Sequence, residues 1–134
     1  HIKVVASGKV LTAFNLFKRL ALGADLCNSA RGMMLSLGCI QALRCNTNHC
    51  PTGITTNLPQ FYKGLDVSEK SVRVFNYHRK TIESFKELMG AAGLDSSDKI
   101  DLTCISRRQD HRIVTLEEIF EKTDELSKTE KQAT

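Results

Sequence analysis

The chain has 134 residues and a net charge of +4, and its length is typical of one domain. Its 41% apolar and 25% charged residues are ordinary for a soluble globular domain, and it has no run of the ~18 apolar residues that a membrane span needs. With no Trp, six Phe and two Tyr, it offers no aromatic platform for bases, so we expect no nucleic-acid partner. Because it begins without Met or a signal-peptide pattern, we expect a fragment of a longer, cytoplasmic protein.

The first 28 residues predict a strand, a helix and a second strand. Residues 2–7 are short, β-branched and nearly all apolar, which is typical of a strand buried on both faces in a parallel sheet. Apolar residues spaced three and four apart predict an amphipathic helix over 11–22, with Thr12 as its N-cap. Residues 24–28 then predict the second strand. Together these elements form one right-handed βαβ unit.

The rest of the chain predicts three more helices, at residues 30–43, 67–92 and 116–122. Between the first two of these helices the chain is irregular, with Pro59 and Gly64 as breakers. From residue 95 onward the chain is polar, and residues 125–134 are expected to be frayed or disordered. We therefore divide the chain into a folded part, residues 1–94, and a polar, partly helical extension, residues 95–134.

Small and polar residues follow both predicted strands and indicate a phosphate site. These residues are Gly8 after the first strand and Asn28, Ser29, Ala30, Arg31 and Gly32 after the second. Backbone N–H groups at a helix N-terminus point toward an anion, and the helix dipole favours it. In eight-stranded α/β barrels a phosphate often lies between the loops after strands seven and eight. The simpler interpretation is that a glycine after a strand only makes a turn.

Five cysteines, an odd number, argue against a disulfide framework in a chain without a secretory signal. Cys39, Cys45 and Cys50 lie close together in the sequence, and Pro51 follows the last of them. Three thiolates without a fourth suit a [3Fe–4S] cluster. Two alternatives are zinc held by these thiols and His49, or no metal at all. The other two, Cys27 and Cys104, are expected to be core thiols.

Four stretches of the chain resemble the flavin-binding synthase domain of glutamate synthases. They are residues 2–8, 21–25, 37–40 and 45–54, in the order and spacing of that family. The resemblance is closest to the smaller FMN-binding glutamate synthase family proteins and covers residues 2–94. The triple-cysteine stretch that ends in Cys-Pro-x-Gly is its most specific motif.

The resemblance implies an α/β fold, namely the C-terminal portion of a (β/α)8 TIM barrel. This portion would contain the last two strands, an iron–sulfur loop and C-terminal helices. The implied FMN-binding residues are Ser7, Gly8, Asn28, Ser29, Ala30 and Arg31, and the implied [3Fe–4S] ligands are Cys39, Cys45 and Cys50. The helix predicted over 30–43 would then join the FMN phosphate, at its start, to the first thiolate, at its end.

The implied activity is that of a flavin and iron–sulfur oxidoreductase. A ferredoxin or a flavoprotein subunit would supply electrons through the cluster to FMN, which would reduce the imine of 2-oxoglutarate and ammonia, or glutamine-derived ammonia, to glutamate. The catalytic residues are unknown here and are expected upstream of this chain. The alternative hypothesis is a non-catalytic structural-zinc or partner-binding module that uses the same cysteines.

Overall fold

The computed structural model describes the backbone of residues 2–132 and the side chains of residues 2–124. It has a mixed α/β fold with two separate two-stranded sheets. The strands are β1 (Val5–Ala6), β2 (Leu26–Cys27), β3 (Ser106–Gln109) and β4 (Arg112–Thr115). The helices are α1 (Ala13–Ala21), α2 (Ala30–Leu37), α3 (Pro59–Tyr62), α4 (Val67–Ala91) and α5 (Leu116–Gln132), with 3₁₀ turns at Ser97–Lys99 and Leu102–Cys104. None of the described helices has the length and apolar character needed to cross a membrane.

The predicted βαβ unit is confirmed, with β1 and β2 parallel and in register at Val5 with Leu26 and Ala6 with Cys27. The strands are shorter than predicted. At the start of β1 the Asp25 carboxylate accepts hydrogen bonds from the backbone N–H of Val4 (2.8 Å) and from Lys3 Nζ (2.6 Å). These donors lower the pKa of Asp25 below its usual value. The Asp25 side chain therefore adds to the backbone bonds that join the start of β1 to the start of β2.

Helix α1 begins and packs as its sequence predicts. The Thr12 hydroxyl accepts from the backbone N–H of Asn15 (3.3 Å), and the Asn15 side chain accepts from the backbone N–H of Thr12 (3.2 Å), which is a reciprocal capping box. Phe17 is only 4% exposed, and its ring lies 6.2 Å from that of Phe85 on α4, centroid to centroid. The apolar stripe of α1 thus faces the main core.

Helix α2 is shorter than predicted, and the expectation of a helix that extends to residue 43 is wrong. It ends at Leu37 because Gly38 adopts a left-handed backbone with φ of +104°. The N–H of Gly38 donates to the Leu35 carbonyl, and that of Cys39 donates to the Met34 carbonyl, both at 3.0 Å. These bonds close the last turn of the helix. Cys39 therefore lies beyond α2 rather than on it.

Helix α4 confirms the long helix predicted over 67–92 and supports both α1 and α2. The Asp66 carboxylate caps it by accepting from the N–H of Glu69 (3.1 Å). Tyr77 crosses over α2 at Gly32, and its hydroxyl donates to the Leu11 carbonyl (2.7 Å). A Cβ at Gly32 would overlap the Tyr77 hydroxyl and lie 2.6 Å from Ser29 Oγ. The close approach of α4 to α2 therefore requires glycine at this position.

The segment that follows residue 95 completes the core rather than forming a purely polar tail. Ile100 and Ile105 are buried with Phe17 and Phe85 in one apolar cluster. The hairpin of β3 and β4, which was not predicted, places Arg107, Arg108 and Arg112 on an exposed surface. Helix α5 extends beyond the predicted 116–122. The expected frayed end includes residues 133 and 134, which lie outside the described residues, as do the side chains from residue 125 onward.

We expect the 134 residues expressed alone to aggregate or to remain partly unfolded. The β1–β2 sheet has two open edges, and it exposes the apolar side chains of Val5 (49%) and Leu26 (61%). The segment that leads into β1 exposes Ile2 (88%) and Val4 (52%) as well. Analytical ultracentrifugation and thermal unfolding test this expectation. A monomer with a cooperative transition would contradict it.

Gly32→Ala in the intact protein that carries this chain is expected to lower the free energy of unfolding by about 1–3 kcal/mol, since the new methyl group overlaps Tyr77. Gly90→Ala is the matched control, because Gly90 is also helical but a Cβ there meets nothing within 4 Å. This change is expected to be neutral or to stabilise by up to about 1 kcal/mol. Denaturant unfolding measures the free energy of unfolding of both variants. Equal changes in the two variants would show that the new methyl group at position 32 is not crowded by Tyr77.

Candidate functional site

A cleft of about 590 Å³, here called the strand-end cleft, opens at the carboxyl ends of β1 and β2. It is lined by five of the six predicted flavin-binding residues and two of the three predicted cluster cysteines: Ser7, Gly8, Asn28, Ala30, Arg31, Cys39 and Cys45. Ligand pockets in proteins commonly measure roughly 300–1,000 Å³. The cleft therefore has the size of a cofactor site, and it joins two groups of residues that the sequence suggested separately.

The turn after β1 is built from Gly8 and Lys9. Gly8 has a left-handed φ of +86°, and a Cβ there would meet nothing within 4 Å, so conformation rather than crowding favours glycine. Arg19 on α1 holds the turn by donating from Nη2 to the Gly8 carbonyl (3.2 Å). The backbone of the turn is therefore fixed from the side of α1 while the residues of the turn remain exposed at the cleft.

The N-terminus of α2 also lies at the cleft, and no side chain caps it. Ser29 occupies the N-cap position, but its hydroxyl donates to the Val10 carbonyl (2.5 Å) instead of accepting from the helix. Ser29 is therefore the one predicted flavin residue that does not line the cleft. Because the first N–H groups of α2 lack a side-chain cap, they are available to an anion. Gly32, also suggested for this role, is buried under Tyr77.

The charge of the cleft also suits an anion. Lys9 and Arg31 line it, and its lining includes no carboxylate. Both side chains are exposed. A phosphate monoester has a charge of about −1.5 to −2 at neutral pH, so two cations and uncapped N–H groups match it. The residues of the cleft therefore fit the phosphate end of FMN.

The three candidate cluster ligands have different surroundings. Cys39 and Cys45 line the strand-end cleft, and the Cys39 sulfur accepts from the backbone N–H of Gln41 (3.4 Å). Cys45 is exposed, whereas Cys50 is buried and does not line the cleft. Cys27 and Cys104 are half-buried outside the cleft; Cys104 packs against the main core, whereas Cys27 is not part of it.

Cys50 lies in a polar environment that favours its thiolate. Its sulfur is 3.3 Å from the Thr52 hydroxyl, and the backbone of Thr55 provides a further hydrogen bond. These hydrogen bonds lower the pKa of Cys50 to about 6, with that of the Thr52 side chain the largest cause. The thiolate is the form that binds metals. Gly53 lets this part of the loop lie close to Phe61 of α3, because a Cβ at Gly53 would lie only 2.6 Å from the Phe61 carbonyl oxygen.

The donor type of the three cysteines suits an iron–sulfur cluster, but their placement does not assemble a ligand set. In the part of the chain that the structure describes, no three His, Cys, Asp or Glu side chains are grouped closely enough to hold a metal. This applies equally to the alternative zinc site with His49, whose Nδ1 donates to the Thr47 carbonyl (2.7 Å).

The segment between Cys39 and Asn48 explains why the cysteines are apart. Asn48 is tied to the following loop, because its side-chain oxygen accepts from the N–H of Asn57 (2.7 Å) and its carbonyl accepts from the Thr56 hydroxyl (2.6 Å). Residues 40–47, by contrast, are all exposed and lie outside helices and strands. Cys45 is therefore on the least supported part of the loop, between two anchored cysteines.

The sequence did not identify every residue of the cleft. Lys9, Val10, Met34, Gln41 and Leu43 also line it. Lys9 could have been predicted as a cleft residue, because it follows Gly8 directly at the end of the strand. Val10 follows Lys9 in the chain, and Met34 lies on α2. Gln41 and Leu43 are brought to the cleft by the loop that follows the end of α2 at Leu37, which no local pattern predicts.

Comparisons with known proteins agree with the geometry. Residues 1–95 match a family model described as the conserved region in glutamate synthase. The chain is 42% identical over 121 residues to the glutamate synthase large subunit-like protein YerD of Bacillus subtilis (90% of this chain, 23% of that protein). It is 37% identical over 100 residues to the archaeal glutamate synthase (NADPH) of Methanocaldococcus jannaschii (75% and 20%). It is 25% identical over 100 residues to the glutamate synthase (NADH) of Saccharomyces cerevisiae (75% and 5%).

No solved structure matches the chain significantly. The chain spans less than a quarter of the length of these curated relatives, with 23% of the Bacillus protein and 20% of the Methanocaldococcus protein covered. The family model, however, covers both strands of the βαβ unit, the strand-end cleft and all three clustered cysteines. The chain therefore belongs to the glutamate synthase family.

Proposed function

We propose that the chain is part of an FMN- and iron–sulfur-dependent oxidoreductase of the glutamate synthase type. The observation that carries this proposal is the strand-end cleft, which unites the candidate phosphate residues with Cys39 and Cys45. Relatives named glutamate synthase support the reaction class. The substrates would be 2-oxoglutarate and ammonia, which includes ammonia derived from glutamine, and the product glutamate.

In this proposal β1 and β2 are the last two strands of a (β/α)8 barrel. Two features support this assignment: the strands are parallel, and they are connected by a helix. Both strands expose apolar side chains, which further strands and helices of a barrel would cover. In barrels of this type the active site lies at the carboxyl ends of the strands, where the strand-end cleft is found.

FMN would bind with its phosphate at Ser7, Gly8, Asn28, Ala30 and Arg31, while Ser29 would position the α2 N-terminus through its bond to Val10. When bound, FMN supplies hydride transfer. The chain's own contribution is to fix the phosphate. The Arg19 bond holds the Gly8 turn, and α4 holds α2 through Tyr77 and Gly32.

Cys39, Cys45 and Cys50 are the proposed [3Fe–4S] ligands. Three free thiols, one of them with its pKa lowered toward the thiolate, support the assignment by donor chemistry. When bound, the cluster supplies one-electron transfer. An electron donor such as ferredoxin or a flavoprotein subunit is the proposed partner, and the cytoplasm, which keeps thiols reduced, is the proposed location.

Arg31→Ala in the intact protein is expected to weaken FMN binding by about 1–3 kcal/mol, because it removes a charge-assisted contact to the phosphate. Arg107→Ala is the control, since Arg107 is exposed on the β3–β4 hairpin and does not line the cleft. Fluorescence titration of the apoprotein with FMN measures both. Unchanged affinity of Arg31→Ala would show that backbone groups alone hold the phosphate.

Cys45→Ser is expected to abolish cluster incorporation while FMN binding remains, since the thiols and the phosphate turn lie on different elements. Cys104→Ser, at a half-buried thiol outside the cleft, serves as the control and should retain full iron. Iron and acid-labile sulfide assays after anaerobic purification, with electron paramagnetic resonance, measure the outcome. One equivalent of zinc and no iron in the wild type would instead support the structural-zinc alternative.

A further inference from the structure

Lys9 has a backbone conformation that lysine rarely adopts. Its φ is +55°, in the left-handed region where a Cβ crowds the following carbonyl oxygen. Glycine adopts this conformation without that penalty, and Asn or Asp with less of it. Lysine at this position therefore costs stability that a glycine would not, which points to a use for its side chain.

The surroundings of Lys9 impose this conformation. On one side Gly8 is held by the hydrogen bond from Arg19 (3.2 Å). On the other side Val10 is 6% exposed, and its carbonyl accepts from the Ser29 hydroxyl (2.5 Å). Because both neighbours are anchored, the backbone of Lys9 cannot relax into an ordinary turn. Its side chain is exposed at the mouth of the strand-end cleft.

Lys9 and Arg31 are the two cations of the cleft lining, and the lining contains no carboxylate. Neither side chain has a hydrogen bond or an ion pair within residues 2–124. The cleft therefore presents two unneutralised positive charges, one from each strand end, to whatever binds there.

We propose that Lys9 is a phosphate-binding residue that clamps the FMN phosphate together with Arg31. This inference rests on the proposed function and adds to it the second cation of the phosphate subsite. Two cations neutralise a phosphate monoester dianion, and they approach it from the two strand ends. Lys9 would thus discriminate FMN from flavins that lack the phosphate.

The test uses Lys9→Gly and Lys9→Arg in the intact protein, each titrated as apoprotein with FMN and with riboflavin. For Lys9→Gly we expect the Kd for FMN to rise about tenfold or more, with the Kd for riboflavin nearly unchanged, because riboflavin has no phosphate. Lys9→Arg keeps the charge and should restore most of the FMN affinity. The thermal midpoint of apo Lys9→Gly should equal or exceed that of the wild type, since glycine relieves the left-handed strain.

Two results would overturn the role of Lys9 and leave the proposed function standing: wild-type FMN affinity in Lys9→Gly, or an equal loss of FMN and riboflavin affinity. A lower thermal midpoint together with such an equal loss would identify Lys9 as a structural residue. A wild-type protein that binds neither flavin would overturn the proposed function itself, and the role of Lys9 with it. The behaviour of the wild type therefore separates the two failures.

Discussion

Two backbone pairings, Val5 with Leu26 and Ala6 with Cys27, set the register on which the candidate site depends. Because the strands are parallel, both run out at the same edge of the sheet, and the residues that follow them meet there. Ser7 and Gly8 come from one strand and Asn28 from the other, and all three line one cleft. A shift of either strand along the other would separate them.

Helix α4 holds in place the segments next to this edge of the sheet. Tyr77 passes over α2 at Gly32 and bonds to the Leu11 carbonyl, so one side chain fixes the start of α2 relative to the loop that leads into α1. Phe85, two turns further along, packs on Phe17 with Ile100 and Ile105. The same helix thus supports α2, whose start lies at the strand-end cleft, at one part of its length and the main core at another.

The segment from Cys39 to Gly53, which contains the three clustered cysteines, is held unevenly along its length. Cys39 is fixed by the closing turn of α2, and Cys50 by Thr52 and by the close approach of Gly53 to α3. Cys45 lies between them on an exposed segment without regular structure. A metal centre contributes its own binding free energy to the arrangement of its ligands. In the described residues the three cysteines do not form a ligand set.

Local patterns were sufficient for much of this structure. The βαβ unit, the Thr12 cap and the long helix that starts near residue 67 are encoded in contiguous residues, through apolar periodicity and side-chain capping. The grouping of Gly8 with Arg31 was also predictable, because parallel strands share an edge. The Thr12 cap and the start of the long helix need only near neighbours in the chain, whereas the strand pairing joins the more distant Val5 and Leu26.

Features outside these patterns decided the rest. The apolar residues after position 37 continue a helical pattern, but Gly38 ends α2 through a local turn, because its left-handed backbone lets Cys39 bond back to Met34. The β3–β4 hairpin follows Ile105, whose burial in the main core depends on partners far away in sequence, Phe17 and Phe85. Sequence alone determined which residues could bind an anion or a metal. Only the tertiary structure decided which of them share a cleft, because the separation of side chains depends on how distant segments pack.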